Sequence, residues 1–305
     1  MRKQAERMVH STLHPDFKSE EEGLRNAFRY GDFTRADYAG MEETVSVLST
    51  PERELRYHTM RCPAGYRKDD GIPRVIVMSH GFTSNLRTML RYSRIYFELG
   101  YDTVLYSQRG HSEAPGLLCT MGRDESKDLT ALIRHLREEL GPDAFLGVHG
   151  ESMGAATALL ALPDAASDLD FAVCDCGYSD FGEMARRSAE HTPFPTEELF
   201  SLADDLSAEA GVRFSSIRPV DRVRKTPDWF PLYLIHGGSD DVVPSSMAME
   251  LYRAKSGKHD LTVYPLARHA RSQTRYKKHY KANIHMFLTN EVEDRNGRIV
   301  RREAP

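Results

Sequence analysis

The chain has 305 residues, with 41 Lys and Arg against 45 Asp and Glu, giving a net charge of -4. That length supports a large core in one domain with an insertion, and the mild acidity argues against the basic face that nucleic-acid binding needs. No apolar run approaches the ~18 residues of a membrane span, and the charged opening from Met1 to Met8 lacks the apolar stretch of a secretory signal.

Residues 1–40 are polar and charged, with scattered aromatics, and read as an N-terminal helical extension. Within it, 20–30 has helical spacing that turns Leu24, Ala27, Phe28 and Tyr30 inward. Strand patterns follow at 44–48, 54–58 and 75–79. The third runs into His80-Gly81-Phe82-Thr83-Ser84-Asn85. A helix is expected over 85–99, a strand over 103–106, a helix over 124–140 and a strand over 144–148. After it come Gly150-Glu151-Ser152-Met153-Gly154 and an Ala/Leu-rich helical run, 153–162. Later strands are expected at 171–174, 232–235 and 261–264, with helices at 245–255 and 272–288. The end, 291–305, is dense in charge and reads as a solvated tail. Strand alternating with helix predicts a mostly parallel eight-stranded sheet, class α/β, with helices on both faces.

About fifty residues separate the strand at 171–174 from that at 232–235. They suggest two or three short helices, charged on one side, with Phe194, Phe200 and Leu202 on the other. Such an insertion, at about 179–222, predicts a small cap over a site. A small cap suits a compact acyl or alcohol group, and a lipase lid would expose more apolar residues.

Gly150-x-Ser152-x-Gly154 between a strand and a helix is the setting of a nucleophile elbow. The serine sits on a strained turn, and the close approach of strand and helix leaves no room for side chains on either side. The new helix then points backbone N–H groups at a developing oxyanion. Two further pieces follow strands. One is His236-Gly237-Gly238-Ser239-Asp240-Asp241, and the other carries His269. The order Ser, Asp, His differs from that of the chymotrypsin and subtilisin families and matches that of α/β-hydrolases. In such folds the loop after the strand at 75–79 supplies one oxyanion donor, here the Phe82 N–H, and the Met153 N–H supplies the second.

The chain resembles the α/β-hydrolase superfamily, and within it the bacterial serine esterase-like branch. His80-Gly81-Phe82, Gly150-Glu151-Ser152-Met153-Gly154, His236-Gly237-x-x-Asp240-x-x-Val243-Pro244 and His269-Ala270-x-Ser272 carry the resemblance. Thr120-Met121-Gly122-x-x-Glu125-x-x-Asp128-Leu129 matches the start of the helix before the elbow strand. The similarity spans about residues 40 to 290 and gives a hydrolase domain at 41–290. It implies hydrolysis through a serine acyl-enzyme with no cofactor and no metal. The family pattern D-x-R-G-H-G-x-S is replaced by Ser107-Gln108-Arg109-Gly110-His111-Ser112-Glu113. That loop borders the site without supplying its catalytic groups.

Family spacing selects Asp240 over Asp241 as the acid. His269 is preferred over His259, which precedes its strand, and over His279 and His285, which fall in a helix. His80, His149 and His236 read as structural hydrogen-bonders. Arg109, His111 and Tyr178 read equally as pocket or structural residues. The basic run Arg271, Arg275, Lys277 and Lys278 reads as a solvated helix face. Cys62, Cys119, Cys174 and Cys176 show no Cys-x-x-Cys spacing and read as thiols of a reducing cytoplasm.

The expected activity is hydrolysis of small to medium carboxylic esters by Ser152, His269 and Asp240. The partners are a small-molecule ester and water, and a homodimer is left open. A peptidase, amidase or thioesterase would use the same triad. The propeller-bearing oligopeptidases need an N-terminal domain for which this chain has no room. A dehalogenase would need an acid in place of Ser152, and a non-catalytic binding protein would usually lose the serine or histidine.

Overall fold

Alternation along the strands divides the core between two helical layers. In β3 of the computed structural model, Val75 and Val77 face one layer while Ile76 and Met78 face the other. The structure describes residues 1–292. Its strands are β1 (Glu43–Ser49), β2 (Glu54–Met60), β3 (Arg74–Ser79), β4 (Asp102–Tyr106), β5 (Phe145–Glu151), β6 (Phe171–Asp175), β7 (Leu232–Gly237) and β8 (His259–Tyr264). They form one sheet in the order β1-β2-β4-β3-β5-β6-β7-β8. Only β2 runs antiparallel to its neighbours, β1 and β4.

Before the sheet lie α1 (Arg2–Leu13), α2 (Glu20–Tyr30) and α3 (Arg35–Ala39). Around it lie α4 (Leu90–Phe97), α5 (Glu125–Leu140) and α6 (Met153–Ala165). The insertion supplies α7 (Phe181–Glu190), α8 (Thr196–Glu209) and α9 (Pro219–Val223), and α10 (Ser245–Ala254), α11 (Ser272–Arg275) and α12 (Lys277–Phe287) follow. Leu129, Leu132 and Ile133 of α5 and Leu159 of α6 pack on one face. Ala27 of α2, Ile95 of α4 and Ile284 of α12 pack on the other. A third cluster joins Ala5, Val9 and Leu13 of α1 to Leu199 and Ala203 of α8.

This is an α/β-hydrolase fold with a mostly parallel sheet, as the residue pattern predicts. The differences are local. The helix expected over 85–99 starts as a 3-10 turn, Leu86–Met89, because the Asn85 side chain accepts the Arg87 and Thr88 N–H groups. The helix expected over 272–288 breaks at Tyr276, whose φ of -121° and ψ of 37° are not helical. Val292 is buried, so the chain stays in the core past 291. The rest of the expected tail, 293–305, lies outside the described residues.

Candidate active site

Parallel register brings the carboxyl ends of β3, β5, β6, β7 and β8 to one edge. Ser79 pairs with Gly150, Glu151 with Asp175, Asp175 with Ile235, and Gly237 with Tyr264. The loops leaving those ends carry the chemistry-bearing residues, the usual placement in open parallel sheets.

Ser152 sits between β5 and α6 with φ 55° and ψ -117°, a left-handed conformation costly for a residue with a Cβ. The turn closes because its flanks are bare. A Cβ on Gly150 would lie 2.3 Å from the Gly154 carbonyl oxygen, and one on Gly154 would lie 2.0 Å from the Ser79 carbonyl oxygen. The Ser152 N–H donates to the Asp175 carbonyl at 2.8 Å, which pins the turn to β6.

Ser152 Oγ lies 2.9 Å from His269 Nε2, and His269 Nδ1 lies 2.8 Å from Asp240 Oδ2. An ionised carboxylate only accepts, so Nδ1 carries the proton and Nε2 is left to accept from the serine. Asp240 Oδ1 accepts the Val242 and Val243 N–H groups, each at 2.9 Å. His236 Nε2 lies 3.4 Å from Oδ2 and donates to the Val243 carbonyl. Burial opposes ionisation of Asp240. The hydrogen bonds from His236 and His269 outweigh it and hold the carboxyl well below its usual range. Asp241 points away and pairs with the exposed Arg268. The structure therefore brings Ser152, Asp240 and His269 together and leaves Asp241 outside.

Phe82 follows β3 and Met153 opens α6, and both line the cavity at Ser152. Among the described residues neither N–H donates to another group. A Cβ on Gly81 would lie 3.4 Å from the Ser152 Cβ, so the Phe82 loop runs in contact with the serine.

His80 and His149 are fully buried, and burial pushes both imidazoles down to about 3, so they stay neutral. His80 Nε2 accepts the Gln108 N–H, and the Tyr96 hydroxyl meets His149 Nδ1 at 2.8 Å. Burial pushes His111 down to about 4, and its Nε2 accepts the Thr83 N–H at 3.1 Å. Arg109 pairs with Asp128 and Glu52, a structural role. Tyr178 is both core and wall: its hydroxyl donates to the Met121 carbonyl at 2.7 Å while it lines the cavity at Ser152.

Several contributors escape sequence reasoning. Glu151, beside Ser152, is paired with Arg91 and accepts from the Tyr92 hydroxyl at 2.5 Å. These side chains are 3% and 7% exposed, so either charge alone would be buried. Arg91→Met is expected to destabilise the fold by about 3–5 kcal/mol in urea unfolding, the usual cost of breaking a buried pair. A loss under about 1 kcal/mol would show that Glu151 does not depend on Arg91. Behind the serine, burial pushes Asp175 up to about 6 although the Tyr280 hydroxyl donates to it at 2.9 Å.

The basic run after β8 is not one solvated face. The Arg271 guanidinium lies 4.0 Å from the centre of the Tyr30 ring, and Lys277 pairs with Asp32. Among the described residues one group of three donors could hold a metal ion, namely Cys176, Asp240 and His269. Burial raises the Cys176 thiol well above its usual range, and the other two already bond to each other, so the set suits no resident ion.

Two cavities of about 330 Å³ meet at Ser152. One is apolar, lined by Met8 of α1, Phe82, Tyr178, Phe181, Met184 and Phe214. The other is polar and includes Lys18, Ser84, Glu151, His269 and Arg271. The Met8 wall is unforeseen. Its signal is the spacing of Ala5, Val9 and Leu13, a stripe four residues apart that seats α1 against α8.

Residues 117–295 match the prolyl oligopeptidase family. The chain belongs to the prolyl oligopeptidase family. It is a serine hydrolase of the α/β-hydrolase superfamily by that membership. It is 32% identical over 289 residues to YqkD, an uncharacterized protein of Bacillus subtilis (strain 168), covering 92% of this chain and 90% of that one. Its fold is similar to that of the Pyrococcus furiosus esterase Pf2001, with a TM-score of 0.66, 23% identity and coverage of 85% and 94% of the two chains. It is also similar in fold to the Pyrococcus horikoshii acylaminoacyl peptidase, with a TM-score of 0.61 and 16% identity. There it covers 87% of this chain but only 43% of the peptidase. The prolyl oligopeptidase family portion starts well after α1 and α2, so the walls that carry Met8 and Lys18 lie outside it.

Proposed function

We propose that the protein hydrolyses small to medium carboxylic esters through an acyl-enzyme on Ser152. The observation that carries this reading is the continuous relay from Ser152 Oγ through His269 to Asp240, beside two N–H groups that have no partner among the described residues. His269 takes the serine proton as Oγ attacks the acyl carbon. Asp240 stabilises the imidazolium that forms. The Phe82 and Met153 N–H groups receive the oxyanion, where losing one such donor costs about 2.7–4 kcal/mol in other enzymes. His269 then protonates the leaving oxygen, and later takes a proton from the water that frees the acyl group.

The size of the apolar cavity motivates a limit on the acyl chain. Turnover of p-nitrophenyl esters is expected to peak at short to medium acyl length and to fall for long chains. A rate that climbs steadily to long acyl chains would overturn this, because α1 and the cap would then have to move aside.

A peptide or amide substrate is the second reading, favoured by the family match. Aminoacyl p-nitroanilides run beside the esters distinguish the two. Faster turnover of the anilides would replace the ester reading and keep the same three residues.

A further inference from the structure

We propose, on the hydrolase reading above, that the polar cavity is an anion subsite that takes a carboxylate on the leaving group of the substrate. The direction of the leaving group follows from His269. The imidazole must reach the departing atom to protonate it, and His269 lines the polar cavity with Ala270 and Arg271. The apolar cavity does not include it and so takes the acyl group.

The polar cavity carries an excess of positive charge. Lys18, Arg91 and Arg271 line it against one acid, Glu151. Glu151 is already occupied by Arg91. Among the described residues neither Lys18 nor Arg271 forms an ion pair or donates a side-chain hydrogen bond to a carboxylate. Glu22, an acid within reach of the Lys18 charge, has its carboxylate tied to the Ser19 N–H and hydroxyl. The Arg271 guanidinium sits over the Tyr30 ring, and a guanidinium so placed can present paired N–H donors to a carboxylate. Two cations without an acid partner among the described residues, in the cavity that also holds His269, are matched by an anionic leaving group. A carboxylate fits the guanidinium fork in two parallel bonds.

In the step itself Ser152 Oγ bonds to the acyl carbon and its proton passes to His269. The bond from that carbon to the leaving oxygen breaks, and the same proton goes to that oxygen. The carboxylate-bearing alcohol then occupies the polar cavity until water replaces it.

Two butanoate esters test the proposal, one of 3-hydroxybenzoate and one of 3-hydroxybenzamide. They share the acyl group and differ in leaving-group charge. At low salt kcat/KM is expected to be about ten-fold higher for the carboxylate ester, the ratio a single charge-assisted contact supplies. In the double variant Lys18→Gln with Arg271→Gln the ratio should fall to about one. Calorimetric titration of 3-hydroxybenzoate should show binding to the native protein and none to the variant. A ratio near one in the native protein, or one that survives in the variant, overturns the subsite while turnover keeps the hydrolase reading. Should neither ester turn over, binding decides. Binding that the variant loses keeps the anion site and removes the ester reading, and absence of binding removes both.

Discussion

Ser152→Ala is expected to lower ester turnover by about 10⁶-fold, the loss seen when the serine of another triad is removed. The variant removes one oxygen and leaves the packing of the turn. Gly150 and Gly154 still allow β5 and α6 to approach, and the N–H bond to the Asp175 carbonyl is a backbone bond that alanine keeps. Circular dichroism and unfolding should therefore match the native protein. Alanine has the same Cβ as serine, so the left-handed conformation costs it about as much. A folded variant with native turnover would remove the acyl-enzyme reading.

Asp240→Asn is expected to lower turnover by about 10⁴-fold, and Asp241→Asn by only a few-fold. Asparagine can present an N–H₂ group to His269 Nδ1. That favours the tautomer with its proton on Nε2, which cannot accept from Ser152. The backbone should hold, because the side-chain oxygen can still receive the Val242 and Val243 N–H groups. Asp241 pairs with Arg268 in the open, and solvent screens a surface pair of that kind so that it contributes little. Steady-state kinetics on the two folded variants decide the assignment. Reversed effects would move the acid to Asp241 and leave the hydrolase reading in place.

The centre of the sheet was legible because β3, β5, β6 and β7 are short, fully buried runs bounded by turn residues. Register then follows from burial on both faces, since a one-residue slip would exchange the layers of β3. Ser152, Asp240 and His269 were legible because each lies in the segment that leaves a strand's carboxyl end, and parallel strands bring those ends to one edge. The Arg91 contact with Glu151 was not legible, because it joins residues 60 apart that belong to different layers. Nothing local to His236 says that it also faces Asp240. Arg271 was misread as part of a solvated face because periodicity after β8 cannot show that α2 brings Tyr30 beneath it. The helix expected over 85–99 begins late for a reason written in Asn85, whose side chain competes for the N–H groups that would start a regular turn.

Helix α1 supplies one wall of the apolar cavity at Ser152 from outside the sheet. Its anchoring residues, Ala5, Val9 and Leu13, differ from its wall residues, Met8, Ser11 and Thr12. The two sets lie on adjacent stripes of one helix. Descendants of such a chain can therefore diverge in diet without renegotiating their architecture. A replacement at 8, 11 or 12 reshapes the apolar cavity, while the stripe that docks the helix stays as it was. Selectivity becomes a detachable trait, inherited through a dozen residues and open to drift independently of the machinery that breaks the bond.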